Sequence, residues 1–190
     1  MTSPGRVERR PLGRTGLTVS ALCVCPGEGP ERETVARRAR VAGCALFGAD
    51  RTLEEGAMVL PGALNGSSYG MVRYNLLDQT EAHSVIPRLA REGRGVLAVG
   101  VLAGGRLAGP APTADPRAGA FDFLARRGRT RAQAALQFVL ANESVSAALV
   151  RVSTVAHLEE LLGAFAAPPL SGRELEQIFE TWANRHDPGP

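Results

Sequence analysis

The residues of this chain that could do chemistry sit where short apolar runs end. Glu28 follows the run 21–25, Asp50 and Glu54 follow the run 44–47, and Tyr74 and Asn75 lie near the end of the run 71–77. Carboxylates brought together from neighbouring strand ends can act as an acid/base set, which here would be Glu28, Asp50 and Glu54; left apart, they are ordinary loop carboxylates. Tyr74 and Asn75 could orient a ligand, or Tyr74 could be a half-buried strand aromatic. A second group has the chemistry of an anion site. Gly104, Gly105 and Arg106 follow one apolar run, and Arg151, Ser153 and Thr154 stand where another run meets a helix. Backbone N–H groups at a helix start favour phosphate or carboxylate. The plain alternative is a solvated arginine beside a helix cap.

The elements that must position these groups alternate between strand and helix. The stretch 71–107 is the clearest: an apolar run 71–77, a helix on which Val85, Ile86, Leu89 and Ala90 share one face, then Gly93 and Gly95 and a second run, 96–102. That is a crossover joining two parallel strands. Earlier, residues 10–20 turn about Gly13 to Gly16 as a small hairpin, 21–25 is a strand, 31–41 an arginine-rich helix and 44–47 a strand. Residues 53–64 read as a helix weakened at Pro61-Gly62. Residues 109–119, rich in Pro, Ala and Gly, read as a loop, and 121–127 as a helical turn. Thr130 caps a helix over 130–141, 147–152 is the last strand, and 155–165 is a helix capped by Ser153 or Thr154. Ser171 with Glu174 has capping-box spacing at the start of a terminal helix, on which Trp182 packs across the outer face. The expected fold is α/β, a truncated or rearranged barrel-like parallel sheet of about five βα units with an N-terminal hairpin. One domain spans 9–184 between loose tails at 1–8 and 185–190.

Composition narrows the classes. Of 190 residues 44% are hydrophobic and 22% charged, enough for a real core. No apolar run approaches a membrane span and MTSPGRVERR lacks the apolar block of a secretory signal, so the chain is placed in the cytoplasm. All 22 basic residues are arginine, and no aromatic residues interleave with their clusters as stacking platforms, which speaks against nucleic acid as a partner. Cys23 and Cys25 face one side of a strand; with Cys44 they read as free thiols, and no metal-ligand spacing accompanies them.

Three segments carry a resemblance. RPLGRTGLTVSALCV (10–24), VRYNLLDQTEAHSVIPRLAREGRGVLAVGVLAGGRLAG (72–109) and RAQAALQFVLANESVSAALVRVSTVAHLEELLGAF (131–165) resemble, in order, the N-terminal hairpin with the first strand, the sixth and seventh strands, and the eighth strand with its flanking helices of the aldo-keto reductases. The resemblance implies a (β/α)8 barrel that reduces carbonyls with NADPH through Asp, Tyr, Lys and His. A barrel of that kind needs about 250 residues, so the third, fourth and fifth strands have no counterpart between Leu64 and Met71. The second-strand pattern reads Phe47-Gly48-Ala49-Asp50 here, with Asp50 at a later acidic position and Leu53 near the tyrosine's; no lysine exists, and His83, His157 and His186 fall outside the histidine motif. Met71 stands where the family's nicotinamide-binding glutamine falls, Val99 where its ring-stacking aromatic falls, and Val150-Arg151 where its Pro-Gly falls.

The resemblance therefore implies the scaffold with NADP disfavoured as cofactor. The first expectation is a non-redox step, such as cyclisation, dehydration or isomerisation of a small metabolite in bacterial specialised metabolism, with Asp50 or Glu28 as base. The second is a non-catalytic partner or ligand-binding pseudoenzyme, and the third an NADPH oxidoreductase. Five strands cannot close an eight-stranded barrel, so the expectation is either a homodimer that completes the sheet or a rearranged sheet with one edge capped by the terminal segments.

Overall fold

The computed structural model describes residues 7–48, 53–55, 58–60, 68–126 and 128–186. A hairpin comes first, β1 (Arg9–Pro11) against β2 (Thr18–Ser20), antiparallel with Arg10 opposite Val19. Its turn needs glycine at Gly13 for two reasons. The backbone is left-handed there (φ 58°), and a Cβ would lie 2.4 Å from the Gly93 carbonyl oxygen. That close approach lets the Arg14 N–H donate to the Gly93 carbonyl at 2.7 Å, tying the hairpin beneath the main sheet.

The main sheet contains β3 (Leu22–Pro26), β4 (Ala45–Phe47), β5 (Leu53–Glu55), β6 (Met58–Leu60), β7 (Tyr69–Arg73), β8 (Gly95–Val99) and β9 (Ala147–Val152). Their spatial order is β6-β5-β4-β3-β9-β8-β7, and the five strands from β4 to β7 run parallel. The sheet curls into half a barrel. Side chains alternate across it. Leu22, Val24, Val72, Val96, Ala98, Ala148 and Val150 face the helices in the larger core. Cys23, Ala45, Phe47, Leu97, Ala147 and Leu149 face inward, where Leu12 and Val19 of the hairpin close the bottom. Each such Leu or Val taken from water contributes about 1.5–3 kcal/mol.

The expected helix over residues 53–64 is overturned where that segment is described, at 53–55 and 58–60. Both pieces are strands, β5 antiparallel to β4 with Phe47 opposite Leu53, and β6 antiparallel to β5. Leu53 is fully buried toward the inner core, while Glu54 turns outward to Arg40 at 3.3 Å. The outer edge of β4 needs hydrogen-bond partners, and that tertiary demand outweighs local helix preference.

On the convex side lie α1 (Arg32–Val41), α2 (Val85–Arg91), α4 (Arg131–Ala141) and α5 (Val155–Leu162), with α6 (Gly172–His186) across them. The segment expected as loop, 109–119, also holds the one-turn α3 (Pro116–Gly119), capped by Asp115, whose carboxylate accepts from the Arg117 and Ala118 N–H groups. In α4 the Thr130 hydroxyl accepts from Gln133 N–H at 3.2 Å and the Gln133 amide accepts from Thr130 N–H at 2.9 Å, a reciprocal cap. Ser171 and Glu174 do the same for α6. Trp182 of α6 meets the His83 ring at 6.3 Å. Among the described residues no helix is long and apolar enough to cross a membrane.

The free side of β7 is partly plugged by side chains. Its outward Tyr69 carbonyl accepts from Arg94 at 3.1 Å, and its outward Arg73 N–H donates to Glu81 at 3.0 Å. A strand added at this edge, from a second copy or any other chain, would have to displace both.

Candidate functional site: the open half-barrel groove

The parity of each strand decides what reaches the concave side. Cys25 of β3, Phe47 of β4, Leu149 and Arg151 of β9, Val99 of β8, and Met71 and Arg73 of β7 are the last inward positions before the strands end. With the loops above, all of these but Arg73 line a groove of about 640 Å³. Its floor is apolar, made by Cys25, Phe47, Val99 and Leu149, and Met71 stands on its open side with 44% of its surface exposed. Arg151, Ser153, His157 and Glu160 form one wall, and Gly104, Gly105 and Ala108 form a lip. The exposed Gly104 and Gly105 have φ of 68° and 91°. A Cβ on either would meet nothing within 4 Å, so their backbone conformation, not crowding, calls for glycine.

The start of α5 is more occupied than its sequence suggests. Thr154 spends its hydroxyl on the His157 N–H at 3.2 Å. The next free donor, the Val155 N–H, reaches the Glu31 carboxylate at 2.9 Å. A resident carboxylate thus takes the place an incoming phosphate would want. Ser153 fits here because its neighbour is glycine: a Cβ on Gly27 would come within 2.3 Å of the Ser153 hydroxyl. Arg106 is held by Asp115 in a two-pronged pair at 2.6 and 3.0 Å. The guanidinium, ahead of the N–H groups of Arg117 and Ala118, holds the Asp115 carboxyl down at about 2.

The acid/base candidates do not converge among the described residues. Asp50 lies outside them. Glu28 is exposed in the turn after β3, and Glu54 faces α1. Tyr74, the residue after β7, continues its outward parity and is buried, with 3% of its surface exposed, against Phe138 of α4 with ring centroids 5.0 Å apart. Burial pushes its phenol up to about 12, against a hydrogen bond with the Asn142 side chain that pulls it down. Asn75 is equally committed: its amide donates to the Gly100 carbonyl at 3.0 Å, and its oxygen accepts from the Leu77 and Asp78 N–H groups at 2.9 and 3.0 Å. Its bonds hold the turn after β7 together and tie it to the Gly100 carbonyl just past β8. Among the described residues no three His, Cys, Asp or Glu side chains gather in metal-binding geometry.

The burial of Tyr74 has a direct readout. Of the two tyrosines, one should ionise only near pH 12, and Tyr74→Phe should abolish that late step. Because the folded state holds this proton more tightly than the unfolded chain, its stability contribution is intact below pH ~10 and declines as pH rises from there. A tyrosinate absorbance titration already complete near pH 10 in the folded protein would contradict the buried placement.

Three residues lining the groove or its recess were not singled out for a role there from the sequence. His157 and Glu160 stand three apart on α5, a spacing that places them on one helix face. Arg73 shares the parity of Met71, two residues earlier on the same strand. Each signal was present in the sequence, but only a known strand boundary and helix orientation turn it into a direction.

Comparison with known proteins agrees with this geometry. Residues 68–183 match the family described as Aldo/keto reductase family. Among solved structures the chain is similar to the apo form of aldo-keto reductase AKR11C1 from Bacillus halodurans, with 14% identity, a TM-score of 0.64, and coverage of 92% of this chain and 96% of that one. The holo form of the same protein matches with 23% identity and a TM-score of 0.49, over 58% of this chain and 41% of that one. The chain thus spans about two-fifths of the holo form's length. These identities speak for the fold alone. No match was found among curated proteins.

Proposed function

Because the chain belongs to the aldo-keto reductase family, we propose that it uses the open side of that family's scaffold to bind a small, largely apolar metabolite without redox turnover. The observation that carries this reading is the groove itself: an apolar floor of Cys25, Phe47, Val99 and Leu149 beneath a volume of about 640 Å³. Pockets of this size with few polar groups suit small organic ligands.

The nicotinamide cofactor of the family fits these residues poorly. Met71 offers a thioether where an amide needs hydrogen bonds, and Val99 offers no ring to stack on a pyridine. At the start of α5, Glu31 and Thr154 already hold the N–H groups of Val155 and His157. A non-redox proton transfer is the second reading, and it rests on His157 and Glu160, which face the groove from one helix where Glu28 and Tyr74 do not. Specialised metabolism and a cytoplasmic setting belong to the proposal in the same way.

A neutral fluorescent probe, N-phenyl-1-naphthylamine, tests the binding reading. One saturable site per chain is expected, and Val99→Trp, which fills the floor, should weaken it by roughly tenfold or more. Unsaturable binding, or binding unchanged by Val99→Trp, would overturn it. Tight, saturable NADPH binding by the wild-type chain would instead favour the redox reading.

A further inference from the structure

Beside the groove, and continuous with it, lies a second recess of about 480 Å³ with a different character. The two cavities share Val99, Gly100 and Gly104. Gly100 has φ 67° and no side chain, so nothing projects between them at that point. The recess is polar where the groove is apolar: Arg73, Arg106 and Arg117 line it, with Asp78. Arg106 is neutralised by its two-pronged pair with Asp115. Asp78 turns one oxygen to the Thr80 N–H at 3.3 Å. Arg73 is different. Its backbone N–H reaches Glu81, but its guanidinium makes no ion pair with any described carboxylate, and its aliphatic stem runs alongside Gly100.

We propose that Arg73 is an oxyanion-binding residue, and that the molecule seated in the groove is an amphipathic anion whose carboxylate, phosphate or sulfonate enters this recess while its apolar body covers Val99 and Leu149. The inference rests on the binding reading above and adds the ligand's chemical class to it. A guanidinium with its fork unspent is matched to a planar or tetrahedral oxyanion. At the mouth of an apolar groove its attraction is less screened than on an open surface. The start of α5 is the weaker place for the same group, since Glu31 already lies there. Arg151, exposed at the far wall of the groove, does not line the polar recess.

The test uses a pair of probes that differ by one oxyanion: N-phenyl-1-naphthylamine and its sulfonate, 8-anilinonaphthalene-1-sulfonate, titrated into the full chain by fluorescence. The sulfonate should bind tighter than the neutral probe in the wild type. Arg73→Ala should weaken the sulfonate by roughly tenfold or more, the scale of one charge-assisted hydrogen bond, and leave the neutral probe unchanged. Arg73→Glu should weaken the sulfonate further, and Arg106→Ala should do so much less. Arg73 is exposed, so these variants keep the fold. If both probes bind and Val99→Trp blocks both, but Arg73→Ala affects neither or both alike, the oxyanion assignment is overturned while the groove reading stands. If neither probe binds saturably, the groove reading falls and the assignment with it. Sodium octanoate and phenyl phosphate as competitors then separate carboxylate from phosphate; competition by one of them that is lost in Arg73→Ala supports the assignment, and competition that survives in Arg73→Ala counts against it.

Discussion

Replacing Arg131 with methionine is expected to destabilise the chain by about 3–5 kcal/mol, the cost of breaking a buried ion pair from one side. The Arg131 side chain is 1% exposed. It pairs with Asp122 and donates to the carbonyls of Leu107, Ala108 and Pro110 at 3.4, 3.1 and 3.3 Å. One guanidinium therefore binds α4 to the loop after β8, and Ala108 of that loop forms part of the groove's lip. Removing it leaves three carbonyls short of a donor and Asp122 without its counter-charge, though Asp122 keeps the Thr113 N–H at 3.0 Å. Urea denaturation should show the loss as a lower midpoint, and limited proteolysis should find new cleavage within residues 107–112. The double variant Arg131→Met with Asp122→Asn separates two explanations. If the carbonyl clamp matters, neutralising Asp122 recovers little. Recovery to within about 1 kcal/mol would mean that the charge pair alone was at stake.

This clamp also shows how far the sequence could be read. Thr130 announces a helix start, and the chain carries the cap as expected, because a cap is a contact over three residues. The crossover from β7 through α2 to β8 was legible for the same reason: Ile86 and Leu89 repeat at helical spacing between two apolar runs. Arg131, one residue past the cap, looked like any surface arginine. Its burial depends on where carbonyls more than twenty residues away are placed, and no local pattern encodes that. The hairpin of β5 and β6 escaped for the same cause, since three-residue strands are too short to show a period and exist to complete the edge of β4. The groove lies at the C-terminal ends of the parallel strands, where the sequence places its candidates. Gly104, Gly105, Arg151 and Ser153 line it, and Gly104 and Arg106 line its recess, whereas Thr154 lines neither. Tyr74 and Asn75 were also strand-end residues, yet the alternation that turns Met71 and Arg73 inward sends Tyr74 into the helical layer. Strand register, a matter of one residue, decides between a ligand contact and a core aromatic.

Glu174→Ala is expected to have the second large effect, again about 3–5 kcal/mol and a thermal midpoint lower by on the order of 10 °C. Glu174 serves two structures at once. One oxygen accepts from the Ser171 N–H at 2.8 Å and its hydroxyl at 2.9 Å, closing the cap of α6, and the other pairs with the buried Arg129. Arg129, 3% exposed, would be left with only the Leu124 and Pro168 carbonyls, at 3.2 and 3.1 Å, and the distant half of its charge uncompensated. Through α6 the loss travels inward by packing: Phe179 meets Phe138 at 6.1 Å and Phe138 meets Tyr74 at 5.0 Å. Glu174→Gln divides the two roles, because glutamine can still accept from Ser171 but carries no charge. It should retain the cap, worth about 1 kcal/mol, and lose the ion pair. Acid supplies an independent check. Burial raises the Glu174 carboxyl, but its bonds to Ser171 and the Arg129 guanidinium outweigh that and hold it below its usual value. A carboxylate held low contributes stability that is complete above its unfolded pKa of about 4.3 and fades as pH falls through the lower folded value. The advantage of wild type over Glu174→Gln in urea should thus be full at pH 7 and shrink below pH ~4. An advantage that stays constant into acid would show that the charge on Glu174 contributes nothing to holding α6 in place.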